Sequence, residues 1–111
     1  MGYESISFSR LSTQYVSIPV QVTQNGSSHD PTGHNVQFAF MPTPTQLPGN
    51  SDWVLAAWTD NPTNILYPYV AQCLVGPSGA ITLGTGTYVI YIKITDNPEV
   101  PVLIGGQLVI F

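Results

Sequence analysis

Only one stretch of this chain brings together side chains with catalytic or metal-ligating chemistry: Ser28-His29-Asp30, with His34 close behind. Serine, histidine and carboxylate are the residue types of a nucleophilic triad. A triad needs them to converge through hydrogen bonds, whereas neighbours in an extended chain point to alternating sides. Two imidazoles and a carboxylate could begin a zinc site, but such a site takes three or four converging ligands and the chain has only two histidines. Asp30-Pro31-Thr32-Gly33 has turn chemistry instead, with an Asx-turn former at its head and a glycine to supply positive φ. The carboxylates Asp52, Asp60, Asp96 and Glu99 fall in expected turns, and no D-x-[DN]-x-[DN]-G loop is present, so a calcium site would require separate loops to meet. Gly84-Thr85-Gly86 precedes a strand, where a nucleotide fingerprint precedes a helix. Cys73, the sole cysteine, lies in the apolar run Tyr69 to Val75 and reads as a buried, inert thiol. The expectation is a non-enzymatic chain with no catalytic residue, no cofactor and no metal.

Aromatics offer the one chemical alternative. Trp53, Trp58, Tyr67, Tyr69 and Tyr91 could form a flat platform on one sheet, as in carbohydrate-binding β-sandwich modules. Against this, tryptophans are large apolar groups that cores absorb, and five residues apart on a regular strand they face opposite sides. At most one of them then shares the core face. The other is exposed, covered by a loop or used at an interface.

The elements that must position these residues are strands. Val16, Ile18, Val20 and Val22 alternate with Tyr15, Ser17, Pro19 and Gln21, the pattern of a strand with one buried face, and Pro19 marks an edge or a bulge. Val36, Phe38 and Phe40 define a second strand that stops at Met41-Pro42. A proline-rich loop follows to Asp52, then strands are expected over Trp53–Thr59 and Leu66–Val75, the latter with Tyr67, Tyr69, Ala71, Cys73 and Val75 on one face. Gly76-Pro77-Ser78-Gly79 is a turn signal, and Ala80–Leu83 suggests a short strand. Thr87–Thr95 puts Tyr88, Ile90, Ile92 and Ile94 on one face. After the turn Asp96-Asn97-Pro98-Glu99, Val100–Phe111 returns, interrupted at Gly105-Gly106, where a bulge and a shift of phase are expected. Six or seven short strands separated by turns describe an all-β fold: a single antiparallel, immunoglobulin-like β-sandwich over residues 14–111, preceded by an extended N-terminal arm, residues 1–13. A small barrel is the alternative.

With 111 residues the chain is one domain, long enough to build a core without disulfide or metal staples. It carries two Lys or Arg and six Asp or Glu, 7% charged residues against about 25% in ordinary soluble domains. Arg10 and Lys93 alone cannot form the basic stripe that neutralises phosphates, which excludes nucleic acid and anionic membranes as partners. No secretory signal and no membrane-span pattern is visible, so synthesis in a cytoplasm is expected. A surface with few charges is cheap to desolvate, which suits permanent protein–protein contact. The arm is mostly polar but carries Tyr3, Ile6, Phe8 and Leu11, and it is expected to drape over an adjacent subunit, a disordered tail being the competing reading. With Trp53, Trp58 and Phe111 they form the candidate interface set. The apolar ending Leu108-Val109-Ile110-Phe111 predicts a packed strand. Phe111 either completes the core or forms an apolar tip by which one copy grips the next.

Several segments together resemble a known group of proteins. They are Arg10-Leu11-Ser12-Thr13-Gln14-Tyr15-Val16-Ser17-Ile18-Pro19-Val20; Asp30-Pro31-Thr32-Gly33 leading into Val36-Gln37-Phe38-Ala39-Phe40-Met41; Cys73-Leu74-Val75-Gly76-Pro77; Gly86-Thr87-Tyr88; and Ile92-Lys93-Ile94-Thr95-Asp96-Asn97-Pro98-Glu99-Val100-Pro101-Val102. Across nearly the whole chain this pattern resembles small virion structural proteins of tailed actinobacteriophages. The resemblance implies a capsid accessory or head-to-tail component located in the virion and made in the host bacterial cytoplasm. Its implied partners are other virion proteins, major capsid or head–tail connector subunits, with homo-oligomerisation possible. A carbohydrate-binding module on the virion is the alternative function.

Overall fold

The computed structural model describes residues 4–20, 23–24, 27–28, 33–42, 46–60, 69–95 and 100–111. The fold is all-β, and its strands in chain order are β1 (Glu4–Phe8), β2 (Gln14–Val20), β3 (Thr23–Gln24), β4 (Ser27–Ser28), β5 (Asn35–Met41), β6 (Val54–Leu55), β7 (Ala57–Asp60), β8 (Tyr69–Val75), β9 (Gly86–Thr95) and β10 (Val102–Ile110). The only helical element among the described residues is a 3-10 turn, Asn50–Asp52, closed where the Gly49 N–H donates to Asp52 Oδ2 at 2.8 Å. No helix among them is long and apolar enough to cross a membrane.

Two sheets enclose one core. The larger has the order β1-β10-β9-β5-β6, the smaller β2-β8-β7, and β3 and β4 form a separate hairpin ladder. Among the described strands every ladder is antiparallel except that of β1 with β10, which is parallel and runs from Glu4↔Gly106 to Phe8↔Ile110. Period-two alternation decides what is buried. Val16, Ile18 and Val20 of β2 and Ala71, Cys73 and Val75 of β8 face Val36, Phe38 and Phe40 of β5, Ile90, Ile92 and Ile94 of β9, and Leu108 and Ile110 of β10. The expected faces of β2, β5 and β9 are the observed ones wherever those residues are described, as is that of β8 from Ala71 to Val75, while Tyr69 is half-buried at its start. Val22, Leu66, Tyr67, Pro68 and the turns around Asn61 and Asp96–Glu99 lie outside the described residues.

Three features differ from the periodic reading. The arm expected over residues 1–13 contains a sheet strand: Glu4–Phe8 lies along β10, and Phe8, 5% exposed, joins the core with Ile6 packed beside it. Alternating Ile6 and Phe8 can lie on the core face only if the strand between them is extended, and parallel pairing with β10 satisfies its backbone. The strand expected over Trp53–Thr59 divides. Val54 and Leu55 pair with β5 in the large sheet, the Ala56 N–H donates to the Val36 carbonyl at 3.0 Å, and Ala57–Asp60 pairs with β8 in the small sheet. The chain thus crosses between sheets while Val54, Ala56 and Trp58 keep facing the core. The short strand expected over Ala80–Leu83 is reduced to a single bridge, Val75↔Ile81.

At Gly105-Gly106 the register of β10 on β9 slips by one residue between Ile104 and Gly106. Leu103 packs on the core before the slip, and Leu108 and Ile110 after it, so the inward face changes parity as a bulge requires. Glycine is needed here because a Cβ on Gly105 would stand 2.8 Å from Ile92 Cδ1 and 3.0 Å from Ile18 Cγ2, the latter from the opposing sheet.

Candidate interaction surface

The seven candidate interface residues go to different places. Phe8 is spent on the core and Ile6 packs against it. Trp58 also packs on the core, and its indole N–H donates to the His34 carbonyl at 2.9 Å. Trp53 lies on the opposite side of the large sheet, as the five-residue spacing implies, against a second apolar cluster of Ala39, Met41, Val89 and Tyr91. Leu11 and Phe111 are exposed, at 75% and 64%. Tyr3 lies outside the described residues, as do His29, Asp30 and Tyr67.

Leu11 and Phe111 are brought to one end of the molecule by the backbone. The parallel β1–β10 ladder delivers Phe8 beside Ile110, after which the Phe111 N–H donates to the Phe8 carbonyl at 3.2 Å and the Arg10 N–H to the Phe111 carbonyl at 2.7 Å. A tight turn follows, with the Ser12 N–H donating to the Ser9 carbonyl at 2.9 Å and the Leu11 N–H to Ser9 Oγ at 3.1 Å. Thr13 Oγ1 then donates to the Pro77 carbonyl at 2.6 Å. Gly76 stands so close beneath this turn, at φ 130°, that a Cβ there would collide with the Ser12 carbonyl oxygen. Two apolar side chains are therefore held outward by a backbone that is itself pinned on both sides.

The outer face of the large sheet carries more apolar surface. Its register sets Leu55, Gln37, Lys93 and Val102 in one row across β6, β5, β9 and β10, and Ala39, Tyr91 and Ile104 in the next. Tyr91 and Ala39 are buried there, whereas Leu55, Val102 and Ile104 are 70%, 49% and 53% exposed. The Lys93 ammonium sits 4.6 Å from the Trp53 ring centre, a cation–π contact that occupies one face of the indole. With Trp58 in the core and one face of Trp53 taken by lysine, the two indoles do not form a coplanar sugar-stacking platform.

Val102, Ile104 and Leu55 were not among the residues that spacing singled out. Their signal was present, since Val100, Val102 and Ile104 alternate before the glycine pair, but alternation alone does not say which phase faces the core. Pairing with Lys93 and Tyr91 decides it.

Among the described residues no group of three or more His, Cys, Asp or Glu is placed to hold a metal ion. Cys73 is buried at 2% exposure, and burial pushes its thiol up to about 11, the opposite of what a nucleophilic thiolate needs. No protein-family model, curated protein or solved structure matches this chain.

Proposed function

We propose that this chain is a non-enzymatic structural protein of a tailed bacteriophage virion, an immunoglobulin-like accessory of the head or neck that works through protein–protein contacts. The observation that carries the adhesive part of this reading is the pinned end of the molecule, where Leu11 and Phe111 are exposed on a backbone fixed by four hydrogen bonds. Apolar side chains carried on a backbone that is already fixed require no further backbone ordering when a partner covers them. The phage setting rests on the residue pattern described above.

The immunoglobulin-like part is supported by strand order. The sheet β2-β8-β7 corresponds to strands B-E-D of the variable-type fold, and β10-β9-β5-β6 to G-F-C-C′, with an N-terminal strand added beside the last one. Tyr88 stands near the start of β9, the F position, and its hydroxyl donates to the Gly84 carbonyl four residues upstream at 2.8 Å, as in a tyrosine corner. Aliphatic residues stand in place of the inter-sheet disulfide, the only cysteine being on β8.

Mass spectrometry of purified virions and co-sedimentation of the isolated chain with assembled particles test this reading. The chain should be a stoichiometric virion component that binds particles, and Leu11→Asp with Phe111→Ser should abolish that binding without lowering the melting temperature. Glycan-array binding without particle association would replace the reading with a carbohydrate-binding one. Absence from virions would overturn it.

A further inference from the structure

We infer that β1 is an exchangeable strand: the slot along β10 that it fills in its own chain is also the docking site for β1 of a second copy, so that two chains pair by trading Glu4–Phe8. Among the described strands β1 has one neighbour, β10, and it reaches the core through Phe8 and Ile6. A second copy's β1 is the same segment. It restores the parallel ladder from Glu4↔Gly106 to Phe8↔Ile110, and both apolar contacts, with no change in β10. No new sheet edge opens, which sets exchange apart from the addition of a strand. The two arrangements differ only in the connection from β1 to β2, residues 9–13.

Geometry places the pivot inside that connection. From Ser12 onward the chain is anchored to the turn at Gly76–Gly79, since Gly76 seats the Ser12 carbonyl and Thr13 Oγ1 donates to the Pro77 carbonyl. The turn itself is closed by the Ser12 N–H on the Ser9 carbonyl and the Leu11 N–H on Ser9 Oγ, in a segment where Arg10 and Leu11 are exposed and water can replace both bonds. The bonds of the Phe111 backbone with Phe8 and Arg10 continue the ladder, so they re-form with the incoming strand. Leu11, within the hinge, and Phe111, at the end of the receiving strand, stand largely in water in the monomer. Exchange makes two hinges pass each other at Phe111 and gathers these side chains from both copies into one junction, which favours the dimer. Closure within one chain has an effective concentration on the order of 1 mM over so short a linker, so exchange competes when chains refold together near that concentration.

Cysteines set across the ladder read the exchange. In a Cys73→Ala background, chains carrying Ser7→Cys are unfolded in urea with chains carrying Val109→Cys, the residue opposite in the ladder, then refolded together at about 1 mM and oxidised in air. The expected product is a disulfide-linked heterodimer, about tenfold or more above any bridge between two Ser7→Cys chains. Bridging as frequent between identical chains is random and overturns the inference. The parent chain, refolded in the same way, should elute partly as a dimer that persists on dilution, and a parent that elutes only as monomer also overturns it, as does a dimer without the heterodimeric bridge. Circular dichroism and melting temperature check that each variant folds. Particle binding by a chain that stays monomeric would leave the virion reading standing and this inference fallen, and exchange by a chain absent from virions would do the reverse.

Discussion

Cys73 illustrates how burial converts a potentially reactive group into packing. Its thiol is held near 11 in the folded chain, while an unfolded cysteine titrates near 8.5. Between these values the unfolded chain has released the proton and the folded chain has not, so folding stability falls as pH rises through this window and the loss is complete above about 11. Urea midpoints should therefore fall more steeply between pH 8 and 10 in the parent chain than in Cys73→Ala, and equal slopes would count against burial as the cause. Backbone conformation governs the neighbouring turn. Gly76 has no room for a Cβ and a φ that other residues rarely adopt, so Gly76→Ala should cost about 2 kcal/mol or more. Ser78, at φ 66°, occupies the third position of the turn closed by the Gly79 N–H on the Gly76 carbonyl, a position that favours glycine. Ser78→Gly should raise stability by about 0.5–1 kcal/mol, measured by the same denaturation. The turn was legible in Gly76-Pro77-Ser78-Gly79. That Gly76 also seats the Ser12 carbonyl was not, because the two are joined only by tertiary packing.

Among the elements, β1 changes the account of the molecule most. A segment with Tyr3, Ile6, Phe8 and Leu11 looks the same in sequence whether its apolar residues cover a neighbour or its own sheet. The structure assigns Phe8 and Ile6 to this chain's core and leaves Leu11 outside. Phe8→Ala should accordingly destabilise the fold by about 3–5 kcal/mol, read from thermal or urea unfolding. Removing residues 1–8 would uncover Leu108 and Ile110 and should lower the melting temperature well beyond the effect of losing a surface arm. A truncated chain with parental stability would show that β1 contributes little. The divided strand at Ala56 is the second case where local pattern underdetermines structure. Val54, Ala56 and Trp58 alternate onto one side, and that side faces the same core from either sheet, so the sequence carries no mark of the crossing. The bulge at Gly105-Gly106 is the reverse case: paired glycines in a strand announce it, and the register slip occurs there.

At the scale of the whole molecule, the edges limit open-ended pairing in a chain with few charges to oppose it. β1, β6 and β7 are edge strands of five, two and four residues, and the longer edge β2 carries Pro19, which cannot donate to an added strand. Association through faces and ends is therefore favoured over strand addition. Thioflavin-negative solutions are therefore expected at neutral pH, and ordered fibrils with a cross-β signature would contradict that. Sequence by itself determined the all-β class, the buried faces of β2, β5, β8 and β9, the bulge and the separation of the two tryptophans. All of these follow from the two-residue period and from the conformational limits of glycine and proline, which act within a few residues. Tertiary structure alone decided that β1 lies parallel to β10, that the chain changes sheets at Ala56, and that Val102, Ile104 and Leu55 face outward around Lys93. Those outcomes depend on which distant strands pair and in what register, and a one-residue shift in pairing would turn every side chain of a strand to its other face.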